Sequence, residues 1–200
     1  KASVLLKQAG ITLGLQTMTG LPGASAESDK KTAEEIAKLE PDMVRIYPTI
    51  VIKNTDLCEW FFNGEYDSPS LEDTVDLCAD LLTFYESKGI NVIRMGLQSS
   101  DNISDGGDIV SGPYHPAFGQ LVKSRIALRN VLETLGSACE AEDDLSGKIL
   151  VITVPRGKCY DYIGQKKYNI GYLKKRYGFK DIRITESESC SDVPKVVIRQ

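Results

Sequence analysis

Apolar residues recur along this chain with two periods. From Ile11 to Met18 they fall on every second position (Ile11, Leu13, Leu15), the rhythm of a strand with one buried face. Ahead of it, Ser3–Ala9 reads as the end of a helix with Gly10 as its cap. Behind it lies the turn Thr19-Gly20-Leu21-Pro22-Gly23. Ser28 then stands as an N-cap before Ala33, Ile36 and Ala37, the inner face of a helix that Pro41 ends. Met43–Val51 is apolar and β-branched, which predicts a buried strand, and a short helix is expected near Leu57–Phe62. Ser70-Leu71-Glu72-Asp73 resembles a capping box. The helix it opens carries Leu71, Val75, Cys78, Leu82 and Tyr85 on one face and stops at Gly89. Asn91–Leu97 is a third strand.

The order so far, helix and strand in alternation, argues for parallel βα units, part of an α/β barrel or of a doubly wound sheet. Asp101–Pro116 is rich in turn signals. Phe118, Leu121, Val122, Arg125, Leu128, Leu132 and Leu135 line a long helix ending at Gly136. Ser137–Gly147 is polar and acidic, a linker. Beyond it the pattern predicts a strand (Ile149–Val154), a short helix, a helix over Asn169–Tyr177, and strands at Asp181–Thr185 and Lys195–Arg199. The expected division is 1–136, a linker over 137–147, and a small α+β domain over 148–200. Three strands do not close a barrel, so the expectation is a piece of a longer protein whose N-terminal part holds the other strands.

Hydrophobic residues make up 42% and charged residues 26% of the 200 residues, a globular balance. No apolar run approaches the roughly 20 residues of a membrane helix, so no membrane partner is expected. The net charge of −4 hides a split. From Lys148 onward there are twelve Lys/Arg against five Asp/Glu, or +7, which leaves −11 for residues 1–147. The basic end is a candidate for a polyanionic partner, or only one part of a varied surface. Cysteines at 58, 78, 139, 159 and 190 are never closer than twenty apart, so no metal-ligand spacing exists and no metal site is expected. Scattered thiols suit a cytoplasmic protein.

Two stretches carry candidate chemistry in the first part. Gly20 to Gly23 follow a strand and precede a helix, where a backbone can approach a ligand closely; such turns are also common without one. Tyr47, Thr49 and Lys53 lie at and beyond the carboxyl end of the second strand and offer hydrogen bonds and a cation, or simply a polar exit from a buried strand. His115 sits between Tyr114 and Pro116 in a Gly-rich loop. It suits proton transfer near neutral pH, and equally a loop-anchoring hydrogen bond.

The segment Gly14 to Gly23 (GLQTMTGLPG) resembles the fifth barrel strand of radical S-adenosylmethionine enzymes of the coproporphyrinogen-oxidase-like and Elongator-like branches. Val44 to Thr55 (VRIYPTIVIKNT), then Gly64-Glu65-Tyr66, is more specifically similar to the catalytic subunit of the Elongator complex. Val92-Ile93-Arg94 and Ser111, Gly112 and His115 continue the likeness, which covers roughly residues 1–130. It implies a TIM-like barrel fragment, with S-adenosylmethionine approached by Gln16, Met18, Gly20, Leu21, Pro22 and Gly23, and with Tyr47, Thr49 and Lys53 on the next strand. His115 is the catalytic candidate. The family's C-x3-C-x2-C triad is absent, so the implied four-iron four-sulfur cluster belongs to the N-terminal barrel part, and these residues are expected to be inactive alone. The likeness is best to the family's short bacterial forms, which lack the acetyltransferase domain, so no acetyl-CoA-binding domain is expected, and Asn54 stands where the family has Gly.

The stretch Ile163 to Gly178, with Ile182-Arg183-Ile184, resembles the core of a KH domain. In such a module a GxxG loop clamps a nucleic-acid backbone; here the loop is Gly164, Gln165, Lys166, Lys167, with Lys in place of the second Gly. Lys166 and Lys167, together with Lys174, Lys175 and Arg176, are the RNA-contact candidates, against the alternative of an ordinary solvated face. The combined expectation is a cytoplasmic radical enzyme acting on tRNA, with a wobble uridine as target. The alternatives are a coproporphyrinogen-oxidase-like enzyme acting on a small molecule, and an RNA-binding module without catalysis.

Overall fold

The computed structural model describes residues 1–98, 107–138, 145–190 and 193–200. The chain forms two compact units, Lys1–Gly119 and Gln120–Gln200.

The first unit opens with α1 (Ala2–Gln8), which buries none of its residues, and β1 (Gly14–Thr19). The strand starts later than the expected Ile11, which is exposed; Leu13, Thr17 and Thr19 form the buried side. In α2 (Ala26–Lys38) the N-cap is Ser25, not Ser28. Ser28 is its reciprocal partner: each backbone N–H donates to the other's hydroxyl, at 2.8 and 3.2 Å. The apolar run expected as one strand divides into β2 (Met43–Pro48) and β3 (Val51–Ile52). Pro48 offers no N–H to continue a ladder, and the next amide, Thr49, donates to Thr19 O instead. Thr55 caps α3 (Asp56–Asn63), and Ser70 caps α4 (Leu71–Ser87) by accepting from Asp73 N–H at 3.1 Å, as its sequence predicts. β4 (Asn91–Met95) completes a three-stranded sheet of order β1-β2-β4, parallel throughout. The region expected to be turn-rich contains β5 (Ile109–Ser111), antiparallel to β3. Part of that region, 99–106, lies outside the described residues.

Helix α5 (Phe118–Ala138) passes Gly136 without stopping. The two units divide inside it, at 119/120, rather than after residue 136. The reason is visible in its apolar face: Ala127, Leu128, Val131 and Leu135 join the core of the second unit. Residues 139–144 of the expected linker lie outside the described residues. β6 (Ile149–Pro155) buries Leu150, Ile152 and Val154 at alternate positions against that helix face. α6 (Cys159–Ile163), a 3₁₀ turn (Gln165–Lys167) and α7 (Tyr168–Tyr177) follow, then β7 (Asp181–Ser187) and β8 (Lys195–Arg199). The sheet order is β7-β6-β8, with β6 parallel to β7 and antiparallel to β8.

Asn169 holds the turn between α6 and α7. It is 2% exposed, and its Nδ2 donates to Ser124 O at 3.0 Å and Asp161 O at 3.1 Å. Gly164 passes so close that an added Cβ would lie 2.9 Å from Asn169 Cγ. Its φ of 74° with ψ of 157° is a conformation open essentially to glycine alone. Gly164→Ala is therefore expected to lower stability by about 2–3 kcal/mol. At Gly171, inside α7, an added Cβ meets nothing, so Gly171→Ala is expected to be neutral or stabilising by up to about 1 kcal/mol. Urea unfolding followed in the second unit checks both; equal midpoints would contradict the contrast.

Candidate functional site

The parallel sheet has two unlike sides. Along β1, Thr17 and Thr19 are buried while Gln16 and Met18 are exposed; along β2, Val44, Ile46 and Pro48 are buried while Arg45 is exposed and Tyr47 half-buried. The register sets Gln16 beside Arg45 and Met18 beside Tyr47. Three of the residues expected near a cofactor, Gln16, Met18 and Tyr47, therefore share one open face as an amide, a thioether and a phenol.

The rest of that group lies elsewhere. Gly20, Leu21 and Gly23 line a cavity of about 410 Å³ at the carboxyl end of β1, between the first turns of α2 and α4. Pro22 is exposed at the turn. Thr49 is 3% exposed, and its hydroxyl has no partner among the described residues. Lys53 reaches from the β3 end, its Nζ donating to Gly107 O at 2.9 Å. The structure thus separates the nine expected residues into an open face, a cavity rim and two outliers.

Two side chains that were not among the candidate site residues shape the cavity. Asp29, 6% exposed, accepts from Gly20 N–H at 3.0 Å, and Tyr66, also 6% exposed, donates its hydroxyl to Gly20 O at 2.7 Å. Both backbone groups of Gly20 are thereby fixed. Burial pushes the Asp29 carboxyl above its ordinary range, only partly offset by the Gly20 amide. Burial likewise raises the Tyr66 phenol, and it pushes the Cys78 thiol behind the strand up to about 12, which leaves that thiol inert at neutral pH. Glu65, Asp67 and Asp73 add carboxylates to the lining, so the cavity favours donors and cations over anions. Asp29 was hidden from the sequence because its period in α2 is that of a core position, where an acid is uncommon.

His115 Nδ1 accepts from Ala117 N–H at 3.0 Å, and His115 O accepts from Phe118 N–H, so the ring anchors the start of α5. In this arrangement the neutral ring carries its proton on Nε2. Cys58 and Cys78 are buried, and Cys159 and Cys190 are half-buried. Among the described residues no three His, Cys, Asp or Glu side chains come together as a metal site, so the residues present do not fit an iron–sulfur cluster.

In the second unit Lys166 and Lys167 are exposed and both take left-handed backbone conformations, with φ of 51° and 61°. Lys174, Lys175 and Arg176 stand at the other end of α7, about 10–15 Å along the helix axis. Lys174 Nζ lies 3.7 Å from Asp181, and Arg176 donates to Tyr172 Oη at 2.9 Å. The basic residues therefore form two groups, and those in the last turn also complement the helix dipole.

The wiring around Gly20 is testable. Tyr66→Phe is expected to cost about 1 kcal/mol by leaving the Gly20 carbonyl without its donor. Because the Asp29 pKa is raised in the fold, folding favours the protonated carboxyl relative to the unfolded chain. The stability it contributes is fully present below 3.8 and is lost as pH rises through the raised value. Melting temperatures of wild type and Asp29→Asn should therefore diverge with rising pH, the variant gaining relative to wild type; parallel profiles would contradict this.

Residues 41–127 match the Radical_SAM C-terminal domain family. The tRNA uridine(34) acetyltransferase of Methanocaldococcus jannaschii is 40% identical over 80 residues, 38% of this chain and 15% of that protein. Human Elongator complex protein 3 is 35% identical over 81 residues, 39% of this chain and 15% of that protein. A solved structure, the archaeal Methanocaldococcus infernus Elp3 with an N-terminal deletion, superposes with a TM-score of 0.54 at 29% identity, over 62% of this chain and 29% of that one. The chain thus aligns with about 15% of the length of these curated relatives. Across residues 41–127 it is similar to the Radical_SAM C-terminal domain family, and over stretches of 80 and 81 residues it is similar to the tRNA uridine(34) acetyltransferase and Elongator complex protein 3 proteins.

Proposed function

We propose that this chain works within a cytoplasmic radical S-adenosylmethionine enzyme that modifies tRNA, with a wobble uridine as the target. The observation that carries this reading is the identity with the uridine(34) acetyltransferases, alongside this chain's own match to the Radical_SAM C-terminal domain family. The parallel units β1, β2 and β4 serve in it as later strands of a TIM-like barrel, completed by an N-terminal barrel part that holds the four-iron cluster. When bound, cluster and S-adenosylmethionine supply radical initiation. The residues of this chain bind and orient: Gln16, Met18 and Tyr47 present hydrogen-bonding and apolar groups to S-adenosylmethionine from the open face, and the Gly20–Gly23 turn shapes the strand end. No helix among the described residues is long and apolar enough to cross a membrane.

The second unit is, in this reading, a degenerate KH-like module that meets tRNA at Gly164–Lys167. Its +7 charge over residues 148–200 and the strand, helix, turn, helix, strand, strand order support this. A left-handed turn carrying two exposed lysines projects cations toward a phosphate backbone, as point charges. Arginine and lysine at the far end of α7 extend the same field.

A salt titration of tRNA binding tests the proposal. Binding should weaken linearly on log–log axes as salt rises. Replacing Lys166 and Lys167 together by Gln should weaken binding to all sequences and flatten that slope by about 1 to 2. Equal slopes, or no binding by wild type at low salt, would reduce these lysines to a solvated face.

A further inference from the structure

We propose that Arg45 and Arg94 form a binding site for a phosphate oxyanion on the open face of the β1-β2-β4 sheet. This goes beyond the function proposed above and requires neither a radical nor tRNA.

The two arginines are brought together by an irregularity in the ladder. Val44 pairs with Val92, but Arg45 pairs with Arg94, so the register of β4 shifts by one residue between them. The shifted register then continues, with Ile46 opposite Met95. A regular ladder would set Ile93 beside Arg45 and turn Arg94 toward the helix-covered side, where Ile46 is 0% exposed. The bulge instead leaves both Ile93 and Arg94 on the exposed side. Bulges that re-aim a side chain in this way concentrate next to functional sites. Gln16, beside Arg45 on the other flank, extends the row with an amide.

Among the described residues this row has no counter-charge. Neither β1 (GLQTMT), β2 (MVRIYP) nor β4 (NVIRM) contains an Asp or Glu. Arg45 has no side-chain partner among the described residues, and Arg94 donates to a neutral acceptor, Gln98 Oε1, at 2.9 Å. Like charges directly opposite one another on a sheet are destabilising. A pair of cations that a bulge sets side by side, uncompensated among the described residues, is what a bound oxyanion requires. Two planar guanidinium forks meet three phosphate oxygens with paired charge-assisted hydrogen bonds. The chemistry is shared by free phosphate and by the phosphate of a nucleotide.

The test uses the full chain with ¹⁵N-labelled arginine, titrated by NMR at constant ionic strength with inorganic phosphate and, separately, with uridine 5′-monophosphate. Arg45→Gln and Arg94→Gln identify the two Nε–Hε signals by their loss. In wild type both signals should move along one saturating curve. Losing either arginine should weaken the response of the other about tenfold or more. Arg45→Lys, which keeps the charge and loses the fork, should weaken it as well. Without ligand, Arg45→Gln should melt no lower than wild type, because a like-charge contact is removed. Response to the nucleotide alone would assign a nucleotide phosphate, and response to both a free oxyanion; either supports the site. Signals unmoved by both ligands would overturn it, as would two signals that respond independently of each other. Lys166→Gln with Lys167→Gln should leave these signals unaffected, so failure here and failure of the tRNA reading are distinguishable.

Discussion

A parallel strand pair must be joined by a crossover, and in the first unit the crossover helices cover one face of the sheet only. That one-sided covering fixes which residues are structural and which are available. Leu13, Thr17, Thr19, Val44 and Ile46 are consumed by the packing side, together with Ala33 of α2 and the Val75–Cys78–Leu82 face of α4. Gln16, Met18, Arg45 and Arg94 are left on the other side by the same alternation. The open face of an otherwise buried type of sheet is thus the surface where ligand chemistry has room to occur.

The carboxyl end of β1 is set by a second constraint, the fixing of Gly20 from both directions. A buried carboxyl takes its N–H and a buried phenol takes its carbonyl. The acid is held there against its desolvation cost, which is why its pKa rises. Cavity and open face lie on different sides of the same strand, so the turn shapes one without belonging to the other.

The second unit is organised around Asn169 in a comparable way. One buried amide ties α7 to backbone carbonyls of α5 and α6 and leaves Gly164 no space for a side chain. The turn it holds places Lys166 and Lys167 in left-handed conformations that lysine adopts at a cost. The turn glycine is therefore accounted for by packing, and the two lysines are the part of the motif with solvent access.

Much of the local order was legible in the sequence. The helix α4 with its Ser70 cap, the alternating strand β6 and the order of elements after Ile149 follow from period and caps, because those depend on residues within a few positions of one another. The likeness of the Tyr47-Pro48-Thr49 region to the Elongator-like radical enzymes was legible for the same reason: it is written in consecutive residues. What the tertiary structure decided involves partners far apart in the chain. The N-cap moved from Ser28 to Ser25 because two serine caps fit the pattern and only the fold selects one. The strand expected over Met43–Val51 divided because Thr49 donates across to Thr19. Helix α5 crossed the expected boundary because its apolar face packs on β6. The separation of the cofactor candidates, the burial of Asp29 and Tyr66 against Gly20, and the meeting of Arg45 with Arg94 each require a register or contact across tens of residues. Sequence periodicity states which face a residue occupies; only the closing of strand on strand states what stands beside it.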